Sequence, residues 1–168
     1  MTAFPRLALF GKLPAHGDFV RRGDPVLVRR LDEWLTGEAE RIAAAAGDAC
    51  DVRLAALPAW SFTLPDGLAG ALLGSRDRVG RVFPIVALAE GGRARATATA
   101  ALLVRAQAGP IDADGVQATL RSPEDDEDAV TPVTDARWWR PLEADQAAFA
   151  IAGLATGPDF DRLLEGIG

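Results

Sequence analysis

Short apolar runs, separated by glycine, proline and charged residues, recur along the chain and predict a set of buried β-strands. The runs lie at residues 6–10, 59–64, 69–74, 81–89, 136–140 and 147–154. Runs of this length are typical of strands rather than of helices. Pro84 falls inside the fourth run, and because proline cannot donate a ladder hydrogen bond, we expect it at a bulge, an edge or the start of the buried segment 85–89.

Other segments carry the spacing and the end signals of helices. In the longest of them, Asp24 is placed as an N-cap, Pro25 as the first helical residue and Gly47 as the stop. Its apolar residues recur every three or four positions and predict one core-facing side: Leu27, Leu31, Trp34, Leu35 and Ile42. Further helices are predicted over 93–109, where alternating threonines also suit a strand, over 112–120, and from Pro158 onward.

Mixed strands and helices predict a layered protein, in which helices cover the faces of a sheet. The chain of 168 residues has the length of one ordinary domain, so residues 1–168 are expected to form a single unit. Trp138 and Trp139 lie in one predicted strand and should point to opposite faces, which favours the core for both.

Composition narrows the classes of partner. The chain carries 18 Lys and Arg against 24 Asp and Glu, which gives a net charge of -6. The electrostatic field of this negative charge repels nucleic acid and anionic lipid headgroups. Its apolar runs fall far short of the roughly 20 residues that span a bilayer, and its start does not resemble a signal peptide. The single cysteine, Cys50, suits a reducing compartment. We therefore expect a cytoplasmic protein without membrane insertion or nucleic-acid binding.

The segment 11–19, GKLPAHGDF, holds the only histidine and the only lysine of the chain. A phosphate-binding loop would need a hydroxyl residue after Lys12 and a glycine five residues before Gly11, and the chain has neither. His16 and Asp18 could pair as a base and its orienting group, but no nucleophile motif accompanies them. A small phosphate- or nucleotide-binding enzyme that uses Lys12, His16 and the nearby arginines remains the alternative.

Metal sites are not predicted. One histidine and one cysteine exclude the usual structural zinc sets. The acidic run at residues 124–128 lacks the spacing of a calcium loop, so it is interpreted as part of a solvated loop. No cofactor is expected.

A second charged segment, SRDRVGRVF at residues 75–83, places Arg76, Arg78 and Arg81 around Asp77 in a predicted turn. One interpretation is structural, with Arg78 paired to Asp77 or Asp18. The other is a set of planar guanidinium groups that recognises carboxylates or a phosphorylated partner. The sequence leaves both open.

Several motifs together resemble the TagF/ImpM family of type VI secretion accessory proteins. They are FGKLPAHGDFVRRG, LDEWL, PAWSF, SRDRVGRVFPIVA, RWW and GPDFDRLL, in the order of the family and over nearly the whole chain. The resemblance implies an α/β fold, a three-layer α-β-α sandwich with a mixed, largely antiparallel central sheet. In the family pattern Ser-Arg commonly stands where this chain has Ala15 and His16, so Lys12 and Asp18 are assigned to the motif and His16 is treated as incidental.

The resemblance also implies a non-catalytic, post-translational repressor of the type VI apparatus, with a forkhead-associated scaffold protein as partner. Our first hypothesis is therefore an interaction protein, in which the loop at 11–19 seats against the segment 75–83. The residues assigned to the docking surface are Lys12, Asp18, Arg76, Asp77, Arg78 and Arg81. Besides the enzyme alternative, a structural subunit with an exposed apolar patch around the Trp pair is a third hypothesis.

Overall fold

A seven-stranded sheet forms the centre of the protein in a computed structural model, which describes residues 6–122, 135–141, 149–151 and 153–166. The strands are β1 (Leu7–Gly11), β2 (Val20–Gly23), β3 (Trp60–Thr63), β4 (Leu68–Leu73), β5 (Ile85–Glu90), β6 (Ala136–Trp139) and β7 (Phe149–Ile151). Their order across the sheet is β2-β1-β5-β4-β3-β6-β7, and every pairing between these strands is antiparallel.

Five α-helices in the described part of the chain accompany the sheet, and the starts of α1 and α4 follow the sequence signals. They are α1 (Pro25–Ala46), α2 (Cys50–Ala55), α3 (Arg93–Gln107), α4 (Ala113–Arg121) and α5 (Pro158–Glu165). The Asp24 carboxylate accepts the amides of Val26 and Leu27 at the start of α1, and Gly47 ends that helix. Asp112 caps α4 in the same way by accepting the amide of Gly115.

Two apolar clusters on opposite faces of the sheet establish the three layers. Along β1, Ala8 and Phe10 belong to a cluster with α1, α2 and α5, whereas Leu7 and Leu9 belong to a cluster with α3 and α4. This alternation is what a strand buried on both faces requires. The predicted α-β-α sandwich is confirmed, and its sheet is antiparallel throughout the described pairings.

Hydrogen bonds hold the last helix and the segment before it against α1 and β3. The Trp34 indole donates to the Ala155 carbonyl at 2.7 Å, and the Trp60 indole donates to the Leu163 carbonyl at 2.9 Å. The buried Glu38 carboxylate accepts the Gly157 amide at 3.1 Å. Residues more than a hundred positions apart are thereby joined.

Some boundaries and two elements differ from the sequence-based expectations. The strand predicted over 81–89 begins only at Ile85, directly after Pro84, which agrees with one of the three placements expected for that proline. Strand β2 and helix α2 were not predicted. The strand predicted at 147–154 ends earlier than expected, since β7 covers Phe149–Ile151. The acidic run at 124–128 lies outside the described residues.

The tryptophan pair lies in the core, as predicted. Trp138 is fully buried in the cluster with α1, and its ring centroid is 4.4 Å from that of Phe62. Trp139 is buried on the other face, with the Arg93 guanidinium 4.8 Å from its ring centroid. The exposed apolar patch that a structural subunit would present there is therefore contradicted. None of the described helices has the length and apolar character of a membrane span.

Candidate functional site

Two loops that are distant in sequence meet at one end of the sheet. We call residues 12–19, between β1 and β2, the Lys12 loop, and residues 75–83, between β4 and β5, the arginine turn. The Arg78 amide donates to the His16 carbonyl at 2.8 Å, and the Lys12 amide donates to the Pro84 carbonyl at 3.3 Å. The contact predicted between these segments is present.

The arginine turn is a tight reversal whose geometry follows from its sequence. The Gly80 amide donates to the Asp77 carbonyl at 3.0 Å, which closes a four-residue turn, and the Asp77 amide donates to the Arg81 carbonyl at 3.0 Å. Gly80 has a φ of +89°, a conformation that glycine adopts without strain. Aspartate at the first and glycine at the last position of such a turn are favoured residues.

Asp77 is the centre of the contact, and its carboxylate is fully shielded from solvent. One oxygen, Oδ1, accepts the amides of Val79 at 3.0 Å and Arg81 at 2.9 Å. The other, Oδ2, lies 3.1 Å from the Lys12 ammonium and 2.7 Å from Nε of Arg81. One buried carboxylate therefore closes the turn and ties it to the Lys12 loop.

The surroundings of Asp77 change its protonation. Burial by itself would raise the pKa of the carboxyl, but the hydrogen bonds from the Arg81 amide, the Lys12 ammonium and the Arg81 side chain outweigh it. The pKa of Asp77 is lowered from 3.8 to about 2. The Asp77 carboxylate is thus charged throughout the physiological range.

This pKa sets a pH dependence of stability. Because the pKa in the folded protein is below the value of 3.8 expected when unfolded, the contribution of Asp77 is complete above about pH 4 and is lost as the pH falls toward about 2. The difference in unfolding free energy between the native chain and Asp77→Asn should be constant from about pH 7 to about pH 5 and shrink between about pH 4 and pH 2. Urea titrations at each pH measure it, and a difference that grows on acidification would contradict this assignment.

Lys12 is enclosed by the same contact and by aromatic rings. The residue is only 7% exposed, and its ammonium lies 4.9 Å from the ring centroid of Phe19. The Phe19 ring contacts those of Phe83 and Phe10, with centroids at 4.9 Å and 5.8 Å, yet is 39% exposed itself. Lys12 therefore lies buried beneath the surface of the site, whereas Phe19 forms part of that surface.

The three arginines of the turn are exposed, and each donates a hydrogen bond to a backbone carbonyl. Arg78 donates to the Ala15 carbonyl and Arg81 to the Gly17 carbonyl, both on the Lys12 loop. Arg76 donates to the Gly80 carbonyl at 3.3 Å. Val79, at the tip of the turn, is 70% exposed. The surface thus presents guanidinium groups around an apolar tip.

His16 and Asp18 lie apart from the ion pairs. Nε2 of His16 accepts the amide of Ala113 at 2.9 Å, at the first residue of α4. Asp18 is exposed, and its carboxylate accepts the amide of Phe19 at 2.7 Å. This contact joins the Lys12 loop to α4, a helix on the opposite layer from α1, and gives His16 a structural role. That His16 is incidental to function stays a prediction.

The structure therefore divides the six predicted site residues. Lys12, Asp77 and Arg81 form one ion-pair group, and Arg76 and Arg78 flank it at the surface. The expected pairing of Arg78 with Asp77 or Asp18 is wrong, because Asp77 contacts Lys12 and Arg81, and no ion pair of Asp18 occurs within the described residues. Sequence reasoning missed Phe19 and Val79, for which the signal was an apolar residue inside a polar loop.

The described part of the chain contains no group of three His, Cys, Asp or Glu side chains placed to hold a metal ion. The alternative phosphate or nucleotide site would use Lys12 and His16. In the structure the Lys12 ammonium faces Asp77, and Nε2 of His16 faces a backbone amide. Neither contact favours that site.

Comparisons with known proteins bear on this region. The sequence profile of the TagF N-terminal domain, described as type VI secretion system-associated, matches residues 8–109, which include both loops of the site. The crystal structure of PA0076 from Pseudomonas aeruginosa PAO1 is similar, with a TM-score of 0.73 and 23% sequence identity, over 96% of this chain and 95% of that chain. At that identity the likeness concerns the fold alone. No curated protein matches the chain.

Proposed function

Because the chain belongs to the family of TagF N-terminal domains, which is associated with type VI secretion, we propose that it acts as a non-catalytic accessory protein of that system. Its action is to restrain the type VI apparatus after translation, in the cytoplasm, by binding a forkhead-associated scaffold protein. The partner and the repression come from the family resemblance. The docking surface proposed for them is the arginine turn with the edge of the Lys12 loop.

The observation that carries this proposal is that hydrogen bonds fix the conformation of the arginine turn. The backbone of the turn is fixed by the Asp77 carboxylate, and two of its guanidinium groups are further held by carbonyls of the Lys12 loop. A surface that is ordered before binding loses less conformational entropy when a partner docks. Such preorganisation supports recognition, and it needs no turnover.

The composition of the surface supports the same role. Guanidinium groups recognise carboxylates and phosphates through planar, paired hydrogen bonds, which suits Arg76, Arg78 and Arg81. The exposed fractions of Val79 and Phe19 add apolar contact beside them. Charged groups around a small apolar centre are the arrangement of many protein–protein interfaces. We therefore expect a partner surface rich in carboxylate or phosphate groups.

A titration of the purified chain with the forkhead-associated protein of the same secretion cluster tests the proposal. Arg76→Glu should weaken binding by about tenfold or more, because a charge at a polar interface is reversed. Arg76 is the variant of choice, since among the described residues its side chain makes one hydrogen bond, at 3.3 Å to the Gly80 carbonyl of its own turn. Calorimetry gives the dissociation constant, and a melting curve of the variant checks its fold.

Arg105→Glu is the matched control, because Arg105 is exposed on α3 and its reversal changes the net charge by the same amount. It should leave the dissociation constant within about twofold of that of the native chain. If both variants lost affinity equally, the overall charge of the chain rather than the arginine turn would explain the weaker binding. The absence of any binding by the native chain would remove the proposed partner.

A further inference from the structure

Strand β2 is the last strand at one edge of the sheet, and part of its backbone faces outward. The Asp24 amide donates to the Leu7 carbonyl at 2.8 Å, so residues 24, 22 and 20 form the hydrogen-bonded pairs with β1. Arg21 and Gly23 alternate with them and direct their amides and carbonyls away from the sheet. No other described strand pairs with that side of β2.

A hydrogen bond from a side chain confirms the outward direction at one position. Nη1 of Arg22 donates to the Arg21 carbonyl at 3.0 Å. The guanidinium group therefore occupies a place that the amide of an added strand would take, and it must move aside when a strand binds. Charged side chains at an open edge are a common protection against unwanted strand pairing.

A groove of about 430 Å³ lies along this edge. One wall is formed by Arg21, Arg22 and Gly23 of β2. The other wall is a single flank of α1 with the helical spacing of three and four residues: Pro25, Val28, Arg29 and Asp32. A groove between an edge strand and a helix is a place where extended peptides bind by adding a strand.

The charges that line the groove indicate the kind of occupant. Three of its side chains are arginines and one is an aspartate. Arg21 pairs with Asp32, and Arg22 pairs at 3.0 Å with the exposed Asp114 of α4. Arg29 is exposed and makes no ion pair with any residue in the described ranges. Exposed pairs of this kind contribute little energy, so they can exchange for the carboxylates of a ligand.

A second copy of this chain is a poorer occupant than an acidic peptide. Pairing of β2 with β2 would bring the arginines of one copy opposite those of the other, and like charges across neighbouring strands are destabilising. We propose that β2 and the flank of α1 bind an extended, acidic segment of a partner protein, which adds to the sheet as an eighth strand. This goes beyond the proposed function, because it involves residues outside the arginine turn.

A model peptide tests strand addition on the full chain. The probe is the acetylated, amidated hexapeptide of alternating valine and glutamate, and the comparison peptide has lysine in place of glutamate. We expect saturable binding of the acidic peptide only, with hydrogen exchange of the Arg21 and Gly23 amides slowed by about tenfold or more in the complex. Arg29→Glu should weaken binding by about tenfold, whereas the matched Arg105→Glu should not.

A third peptide, N-methylated at every residue, keeps the charges but lacks the amide donors, and it should not bind. Equal binding of that peptide would overturn the proposal, because attraction between charges alone would then explain the interaction. Exchange at Arg21 and Gly23 that slows with increasing concentration of the chain alone would identify a second copy as the occupant and would overturn it too. Absence of binding by the acidic peptide would also overturn the proposal. The titration with the scaffold protein is independent of this result, so the two proposals can fail separately.

Discussion

Asp77→Ala is expected to lower the melting temperature by on the order of 10 °C, because removal of one partner of a buried ion pair leaves the other uncompensated. The ammonium of the buried Lys12 would lose the carboxylate 3.1 Å away. The Val79 and Arg81 amides would also lose their acceptor. Thermal unfolding by circular dichroism measures the change, and scaffold binding should weaken with it.

Two further variants separate charge from shape at this position. Lys12→Met combined with Asp77→Asn removes both charges and should recover part of the stability lost in Asp77→Ala, since no buried charge is left unpaired. Asp18→Ala is the matched control, because within the described residues its exposed carboxylate accepts only the neighbouring Phe19 amide. Asp77 and Asp18 variants of equal stability would show that the buried pair does not hold the loops together.

Gly11→Ala is expected to destabilise the fold by about 3 kcal/mol or more, through backbone strain and steric overlap together. Gly11 has a φ of +132°, and a Cβ atom there would lie 2.0 Å from the Pro84 carbonyl oxygen and 2.9 Å from Cα of Ile85. Both atoms are backbone, so relief requires β1 and β5 to separate where the Lys12 loop begins. Urea unfolding gives the free energy.

Gly37→Ala is the control for the Gly11 substitution. Gly37 is exposed within α1, and no atom lies within 4 Å of the place where its Cβ would be. Alanine should therefore stabilise the helix by up to about 1 kcal/mol. If both glycine variants changed stability equally, the close approach of β1 to the Pro84 backbone would not be a constraint.

Local signals in the sequence were sufficient for most elements of the fold. The ends of α1 follow from Asp24, Pro25 and Gly47, each of which acts through its own backbone or a side chain close by. Strands β3, β4 and β5 are apolar runs because both faces of the central sheet are covered. Such signals depend on neighbours in sequence, so they can be interpreted without the tertiary structure.

Strand β2 and the ion-pair partners at the site depend on tertiary contacts that cannot be predicted from sequence patterns. Strand β2 contains two arginines in four residues, which is unlike a buried strand, and it forms because it pairs with β1 at an edge where its side chains reach solvent or acids. At the site, the sequence placed two charged loops together, but the partner that it offered for Asp77, Arg78, is the wrong one. The choice of Lys12 over Arg78 as a partner of Asp77 is a matter of position in three dimensions.

The hydrogen bonds between α1 and the segment before the last helix have a consequence for how the chain reaches its fold. The Trp34 indole of α1 donates to the Ala155 carbonyl, and one carboxylate oxygen of Glu38 accepts the Gly157 amide, so these two groups wait for their partners until nearly the whole chain has been synthesised. Such high contact order slows folding, because a long loop must close first. A chain ended at residue 109, where the family profile stops, would leave the Trp34 and Trp60 indoles without these partners and expose an aggregation-prone face on the ribosome.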